Sequence, residues 1–224
     1  MSKETEPNKT EPCVWVSRAM MDSTLVVGFK SELSDTDRRR SIELIKKIEH
    51  GRALPTDVFP SKLYYLGKYD RPKSLPDFLL CTMYLVSDRL RDALKTADLG
   101  STSFHPVELY ERDKTQRIDA AYSIIAFGET KSTVLPQQSA CILHMPGPCP
   151  VIPYGLELVP QDNDLTLSED ALLGPDLWIE EEVISTFFLS DRLVQTLKAR
   201  NLARQLGLYR CRIAPANHAQ SGPI

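Results

Sequence analysis

Two segments of the sequence place a serine directly before an aspartate, the residue types that nucleophilic catalysis could use. Residues 85–95 are LVSDRLRDALK, and residues 188–198 are FLSDRLVQTLK. A serine nucleophile needs a base within hydrogen-bond reach and an oxyanion hole, and neither copy has the G-x-S-x-G setting of a nucleophile elbow. A helix N-cap followed by an acidic residue that complements the helix dipole explains the same pair. We therefore interpret Ser87 and Ser190 as helix N-caps.

The candidates for metal ligation are incomplete. The segment CILHMPGPC places His144 between Cys141 and Cys149, but structural zinc usually has four ligands in closely spaced pairs, and the second pair is missing. The run Glu180–Glu182 offers carboxylates to a divalent cation, yet no Asp-rich calcium loop accompanies it. Because no catalytic motif stands out, we predict that the protein is not an enzyme and that it has no cofactor and no bound metal.

The charge of the chain is strongly segregated. The net charge is −3, but residues 132–191 contain ten acidic residues and no lysine or arginine, whereas residues 192–224 contain six basic residues and no acidic ones. A block of one sign can steer a partner of the opposite sign and raise its association rate. Nucleic acid is excluded as a direct partner of this block because its phosphates would be repelled.

The composition places the protein in a reducing, aqueous compartment. No segment approaches the roughly 18 apolar residues needed to span a bilayer, and the N-terminal residues MSKETEPNKTEP lack the apolar core of a signal peptide. The five cysteines are scattered rather than paired in sequence, which favours free thiols over a disulfide framework. We expect a cytoplasmic protein without membrane contact.

The elements that position these groups recur along the chain. A helix is predicted from a cap at Ser34 or Asp35 to Gly51, and the apolar run Phe78–Val86 is predicted as a strand that leads directly into the helix capped by Ser87. The segment before Ser190 repeats this plan, and an extended segment follows each helix. The sequence therefore predicts an α+β fold with two related strand–helix–strand units, the helices packed on a mixed or antiparallel sheet.

Residues 76–213 resemble a known family. The segments PDFLLCTMYLVSDRLRDALKTADLGSTSFHPVEL, AAYSIIAFGETKSTVLPQQS and DLWIEEEVISTFFLSDRLVQTLKARNLARQLGLYRCRI are similar to the immunity-protein family typified by a myxobacterial member, which accompanies bacterial polymorphic toxins and type VI secretion effectors. The implied organisation is a flexible leader (1–12), an N-terminal α+β portion (13–75), a family domain with two similar halves (76–213) and a loose tail (214–224).

The resemblance implies a protein that neutralises a cognate toxin by direct binding, and the toxin is expected to be a nuclease that acts in the cytoplasm. A nuclease must be basic where it grips phosphate, so the acidic block would match it. The residues predicted to face the toxin are Asp162, Asp164, Glu169, Asp170, Asp176, Glu180, Glu181 and Glu182. Two alternatives remain open: a small cytoplasmic enzyme whose site joins His144, Cys149 and Asp176, and an adaptor that binds a partner without inhibiting it.

Overall fold

The computed structural model describes residues 12–145 and 154–215. These residues form four α-helices and fourteen strands, arranged in two six-stranded sheets and one two-stranded sheet. The strands are β1 (Val14–Ser17), β2 (Phe29–Ser31), β3 (Lys62–Tyr65), β4 (Phe78–Leu80), β5 (Tyr84–Ser87), β6 (Ser103–Tyr110), β7 (Tyr122–Ala126), β8 (Thr130–Lys131), β9 (Ile142–His144), β10 (Tyr154–Leu156), β11 (Thr166–Leu167), β12 (Leu177–Glu180), β13 (Phe187–Ser190) and β14 (Leu208–Ile213). The α+β prediction is confirmed.

The four helices begin at polar caps or follow a strand directly. They are α1 (Glu32–Thr36), α2 (Arg38–Glu49), α3 (Asp88–Leu94) and α4 (Asp191–Ala199). Ser87 Oγ accepts a hydrogen bond from Leu90 N at 3.2 Å, and Ser190 Oγ accepts one from Leu193 N at 3.3 Å. Both serines satisfy amides that the first helical turn leaves free. The interpretation of these serines as N-caps is confirmed.

The predicted helix from Ser34 or Asp35 to Gly51 differs at its start. Asp37 caps α2 by accepting from Arg40 N at 3.0 Å, and the short α1 precedes it. At the other end Gly51 has φ +61°, and a Cβ there would lie 2.9 Å or less from the side chains of Ile179 and Thr130. Glycine therefore ends the helix and allows its close approach to the second copy of the repeat.

Five neighbouring strands correspond between the two large sheets, which we call sheet I and sheet II. Sheet I has the order β2-β3-β6-β7-β5-β4, and sheet II has the order β11-β14-β1-β13-β12-β8. The run β3-β6-β7-β5-β4 matches the run β11-β14-β1-β13-β12, whereas β2 and β8 have no counterpart. In sheet I, β6 pairs parallel with β3 and antiparallel with β7. In sheet II, β14 pairs parallel with β11 and antiparallel with β1. Each six-stranded sheet is therefore mixed, and the two related units of the prediction are present.

The two halves exchange a strand. The strand beside the serine-bearing β5 is β7, with Ser87 opposite Tyr122. The corresponding place beside β13 is filled by β1, with Ser190 opposite Val14. If the chain is divided into residues 14–110 and 122–213, β1 is the first strand of one half and β7 the first strand of the other, and each half completes the sheet of the other. Residues 13–75 thus supply β1 to sheet II and β2 and β3 to sheet I.

The apolar run Phe78–Val86 forms a hairpin, so the single-strand prediction is wrong. Phe78 pairs with Val86 and Leu80 with Tyr84 across a turn at residues 81–83. The second copy also contains a hairpin, in which Leu177 pairs with Leu189. The chain reverses at LCTM without glycine, proline or asparagine, so the local composition gave no turn signal.

A shared apolar core joins the halves. Helices α3 and α4 contact each other, and their buried faces contribute Leu90, Leu94, Leu193 and Leu197 to one cluster with strands of both sheets. Each of these leucines is at most 4% exposed, and complete burial of a leucine side chain stabilises a fold by roughly 1.5–3 kcal/mol. The repeated leucines therefore belong to the core, as their helical spacing predicts.

Candidate functional site

In the second copy of the repeated motif, polar side chains cluster around Asp176. Ser190 Oγ donates to Asp176 Oδ1, and Arg192 Nε donates to the same oxygen at 2.5 Å. The other carboxylate oxygen accepts from Asp98 N at 2.9 Å. Burial acts to raise the pKa of Asp176, but the hydrogen bonds and the charge of Arg192 outweigh it and the pKa is lowered. Asp176 is therefore ionised, and its carboxylate holds Ser190, Arg192 and the Asp98 amide together.

The first copy has the same arrangement. Ser87 Oγ donates to Asp77, while Arg89 lies 3.8 Å from the other oxygen of that carboxylate. In both copies the serine hydroxyl accepts from a helix amide and donates to an aspartate that precedes the hairpin. These hydrogen bonds hold the start of the helix against the hairpin. Each serine hydroxyl therefore has a structural role and is not paired with a catalytic base.

Two of the eight residues predicted to face a toxin are buried, and their assignment to an exposed surface is wrong. Asp176 is 1% exposed and Glu180 is 3% exposed. Glu180 accepts from Thr133 N at 2.7 Å, from Thr133 Oγ1 at 2.6 Å and from Trp178 Nε1 at 3.0 Å. Its carboxylate thus ties β12 to the segment after β8, and both carboxylates serve the fold.

The remaining six acids lie on three loops of sheet II. Asp162 and Asp164 belong to the turn before β11, where they accept from Arg210 N and Gln161 N at 2.8 and 2.7 Å. The acids of the second and third loops complete the set: Glu169 and Asp170 in the 3-10 turn Glu169–Leu172, and Glu181 and Glu182 after β12. Asp162, Glu169, Asp170 and Glu181 are exposed, and Asp164 and Glu182 are partly exposed.

Basic side chains border this acidic set at two places. Arg212 donates to Gln138 O at 2.7 Å and to Thr166 Oγ1 at 2.8 Å, beside β11. Lys131 Nζ donates to Leu173 O at 2.6 Å and lies 3.6 Å from the centre of the Trp178 ring. Desolvation lowers the pKa of Lys131, although nearby carboxylates act in the opposite direction. Both cations donate hydrogen bonds to backbone carbonyl groups, so they do not cover the acidic loops.

The alternative site built from His144, Cys149 and Asp176 includes Cys149, which lies outside the described residues. His144 lies on β9 and packs edge-on against Tyr154, whereas the polar partners of Asp176 are those given above. Among residues 12–145 and 154–215, no group of three or more His, Cys, Asp or Glu side chains is arranged to hold a metal ion.

The lining of one surface cavity could not be predicted from the sequence. A cavity of about 400 Å³ lies between α2 and the turn that joins β12 to β13. Glu49, Tyr84 and Thr186 are among its lining residues. These residues come from three distant segments, and no sequence motif links them.

The fold and these sites define a duplicated α+β scaffold with exchanged strands, acidic loops and a cavity beside α2. In the described part of the chain, no helix combines the length and apolarity needed to cross a membrane. Comparison with protein-family models found no matching family, and comparison with curated proteins found no matching relative.

Proposed function

We propose that this protein is an immunity protein that neutralises a secreted bacterial toxin by direct binding in the cytoplasm. The observation that supports the proposal is the set of exposed or partly exposed carboxylates on the three loops of sheet II, in a stretch without lysine or arginine. The loops carry Asp162, Asp164, Glu169, Asp170, Glu181 and Glu182. The toxin is a nuclease whose own basic surface is their target.

Electrostatics gives this proposal its mechanism. A nuclease presents lysine and arginine where it grips phosphate, and exposed carboxylates on an inhibitor attract that surface over about 8–10 Å in physiological salt. Such complementarity mainly accelerates association and selects the partner. The immunity protein itself contacts neither nucleic acid nor membrane.

The loops are also held in place before binding. Asp162 and Asp164 accept backbone hydrogen bonds at the turn before β11, and Glu181 accepts from Thr130 Oγ1 at 3.2 Å. The buried Glu180 fixes the strand that leads to Glu181. Less conformational entropy is lost on binding when an interface is ordered in advance, so these contacts favour tight inhibition.

Co-expression with the toxin encoded by the neighbouring gene tests the proposal. The protein should restore growth of cells that produce the toxin, and purified protein should abolish cleavage of DNA or RNA by it. Lysine substitutions at Asp162, Glu169, Asp170 and Glu181 should reduce both effects, whereas lysine substitutions at the exposed control residues Glu43, Asp57, Asp70 and Asp119 should not. Binding without any rescue of growth would indicate an adaptor and contradict the proposal.

A further inference from the structure

The acidic loops also carry exposed apolar side chains. In the part of the chain that the structure describes, eleven large apolar residues are exposed, and five of them lie between residues 157 and 184. These five are Leu158, Val159, Leu172, Leu173 and Ile184. Each lies within four residues of an acid of the three loops. A single exposed apolar side chain is ordinary on a protein surface, whereas apolar groups bordered by polar ones are typical of protein–protein contacts.

The clearest pair belongs to residues 169–173, which we call the leucine turn. Ala171 is buried in the core of sheet II, but Leu172 is 39% exposed and Leu173 is 66% exposed. Glu169 and Asp170, at the start of the same turn, are exposed as well. Two leucines and two carboxylates therefore lie side by side on the surface, as in an interface with an apolar centre and a charged rim.

The backbone of the leucine turn is ordered before any partner binds. Lys131 Nζ donates to Leu173 O at 2.6 Å. It also donates to Ala171 O at 3.3 Å and to Pro175 O at 3.4 Å. Within the turn, Leu173 N donates to Asp170 O at 3.1 Å. Because little backbone freedom is left to lose, burial of the two leucines by a partner would contribute most of its free energy to binding.

We propose that Leu172 and Leu173 enter an apolar pocket of the toxin, and that lysine or arginine side chains beside this pocket pair with Glu169 and Asp170. This pairing rests on the proposed function and specifies the part of the toxin that is recognised. Opposite charges mainly accelerate association, whereas the loss of packed apolar contacts mainly accelerates dissociation. The acids therefore bring the two proteins together, and the leucines hold them together.

The dissociation rate of the complex with the toxin encoded by the neighbouring gene tests the role of the leucines. The double variant Leu172→Ala/Leu173→Ala should release the toxin at least about tenfold faster, with an unchanged association rate. The control variant Val26→Ala/Leu66→Ala changes residues that are 58% and 37% exposed, and it should release the toxin as slowly as the unmodified protein. Both variants should keep the urea midpoint of the unmodified protein, because all four side chains are exposed.

Single substitutions of Leu173 test the apolar character of the pocket. Leu173→Met keeps an apolar side chain of similar volume, so the complex should still dissociate slowly. Leu173→Asn keeps a similar size but buries an amide, so it should release the toxin at least as fast as Leu173→Ala.

The failure of this proposal is distinguishable from failure of the proposed function. Unchanged dissociation of the Leu172→Ala/Leu173→Ala variant, equal acceleration by the Val26→Ala/Leu66→Ala control, or slow dissociation of Leu173→Asn would overturn the apolar pocket, while binding by the unmodified protein would still support an immunity protein. Absence of binding by the unmodified protein, which is measured first, would contradict both.

Discussion

Asp176 and Arg192 form the closest ion pair of the repeated motif, with Arg192 Nε 2.5 Å from Asp176 Oδ1. The Asp176 side chain is only 2% exposed, whereas the corresponding Asp77 side chain is 22% exposed and lies 3.8 Å from Arg89. The two copies therefore use the same residues at different depths. This difference provides matched variants for testing how the scaffold is held together.

Replacement of Asp176 by asparagine should destabilise the protein far more than replacement of Asp77. Asp176→Asn removes the charge that accepts from Ser190, Arg192 and the Asp98 amide in a buried setting, and the expected loss is about 2–4 kcal/mol. For Asp77→Asn, in the more exposed copy, a loss of about 1 kcal/mol or less is expected. Urea unfolding of both variants measures these values, and equal losses would contradict the structural role assigned to Asp176.

The contribution of Asp176 should disappear in acid. Its pKa in the folded protein is lowered from the usual 3.8, because burial, which raises it, is outweighed by the bonds from Arg192, Ser190 and the Asp98 amide. The carboxylate therefore stabilises the fold fully above its unfolded pKa, and this contribution is lost as the pH falls through the lower folded value.

The stability difference between the unmodified protein and Asp176→Asn should thus be constant above pH ~5 and should shrink towards pH 3. Denaturant unfolding at a series of pH values measures it. A difference of the same size at pH ~3 and at neutral pH would show that the Asp176 charge does not carry the effect.

The same substitution should destabilise the protein at Glu180 and have almost no effect at the adjacent Glu181. Glu180→Gln weakens a buried set of bonds with Thr133 and Trp178, and a loss of about 2–3 kcal/mol is expected. Glu181 is exposed, so Glu181→Gln should change the stability by less than about 0.5 kcal/mol. Thermal unfolding of the two single variants compares them directly, and similar melting temperatures would be inconsistent with the buried role of Glu180.

The exchanged strand β1 should be essential to sheet II. Val16 is 1% exposed and lies opposite Phe188 and Tyr209 on the two neighbouring strands. Val16→Asp places an unpaired charge in this position and should cost more than about 4 kcal/mol or prevent folding. The control Val26→Asp changes a residue that is 58% exposed and should leave folding intact. Soluble, cooperatively unfolding Val16→Asp protein would argue against the strand exchange.

The features that could be predicted from the sequence are local ones. A serine that is followed by an acidic residue and an amphipathic run predicts a capped helix, because the cap and the amide that it satisfies are only three residues apart. Ser87 and Ser190 confirm this prediction. The repeated leucines follow helical spacing and are buried, because the periodicity of a helix decides which side faces the core. The α+β class followed from these elements.

The features that could not be predicted depend on contacts between distant residues. The burial of Asp176 and Glu180 depends on partners such as Asp98 and Thr133, which lie 78 and 47 residues away, so both residues resemble surface acids in the sequence. The exchange of β1 joins Val14 to Ser190, and no local pattern encodes that pairing. The cavity lining likewise comes from segments that only the fold brings together.

The association rate with the toxin, measured by stopped-flow fluorescence across a range of salt concentrations, tests the central claim most directly. The variant with lysine at Asp162, Glu169, Asp170 and Glu181 should associate at least tenfold more slowly at low salt, and the difference should shrink as salt screens the charges. Variants of the three loops measured separately would identify the loop that contributes most. An unchanged association rate and unchanged salt dependence would contradict the proposal that the acidic loops bind the toxin.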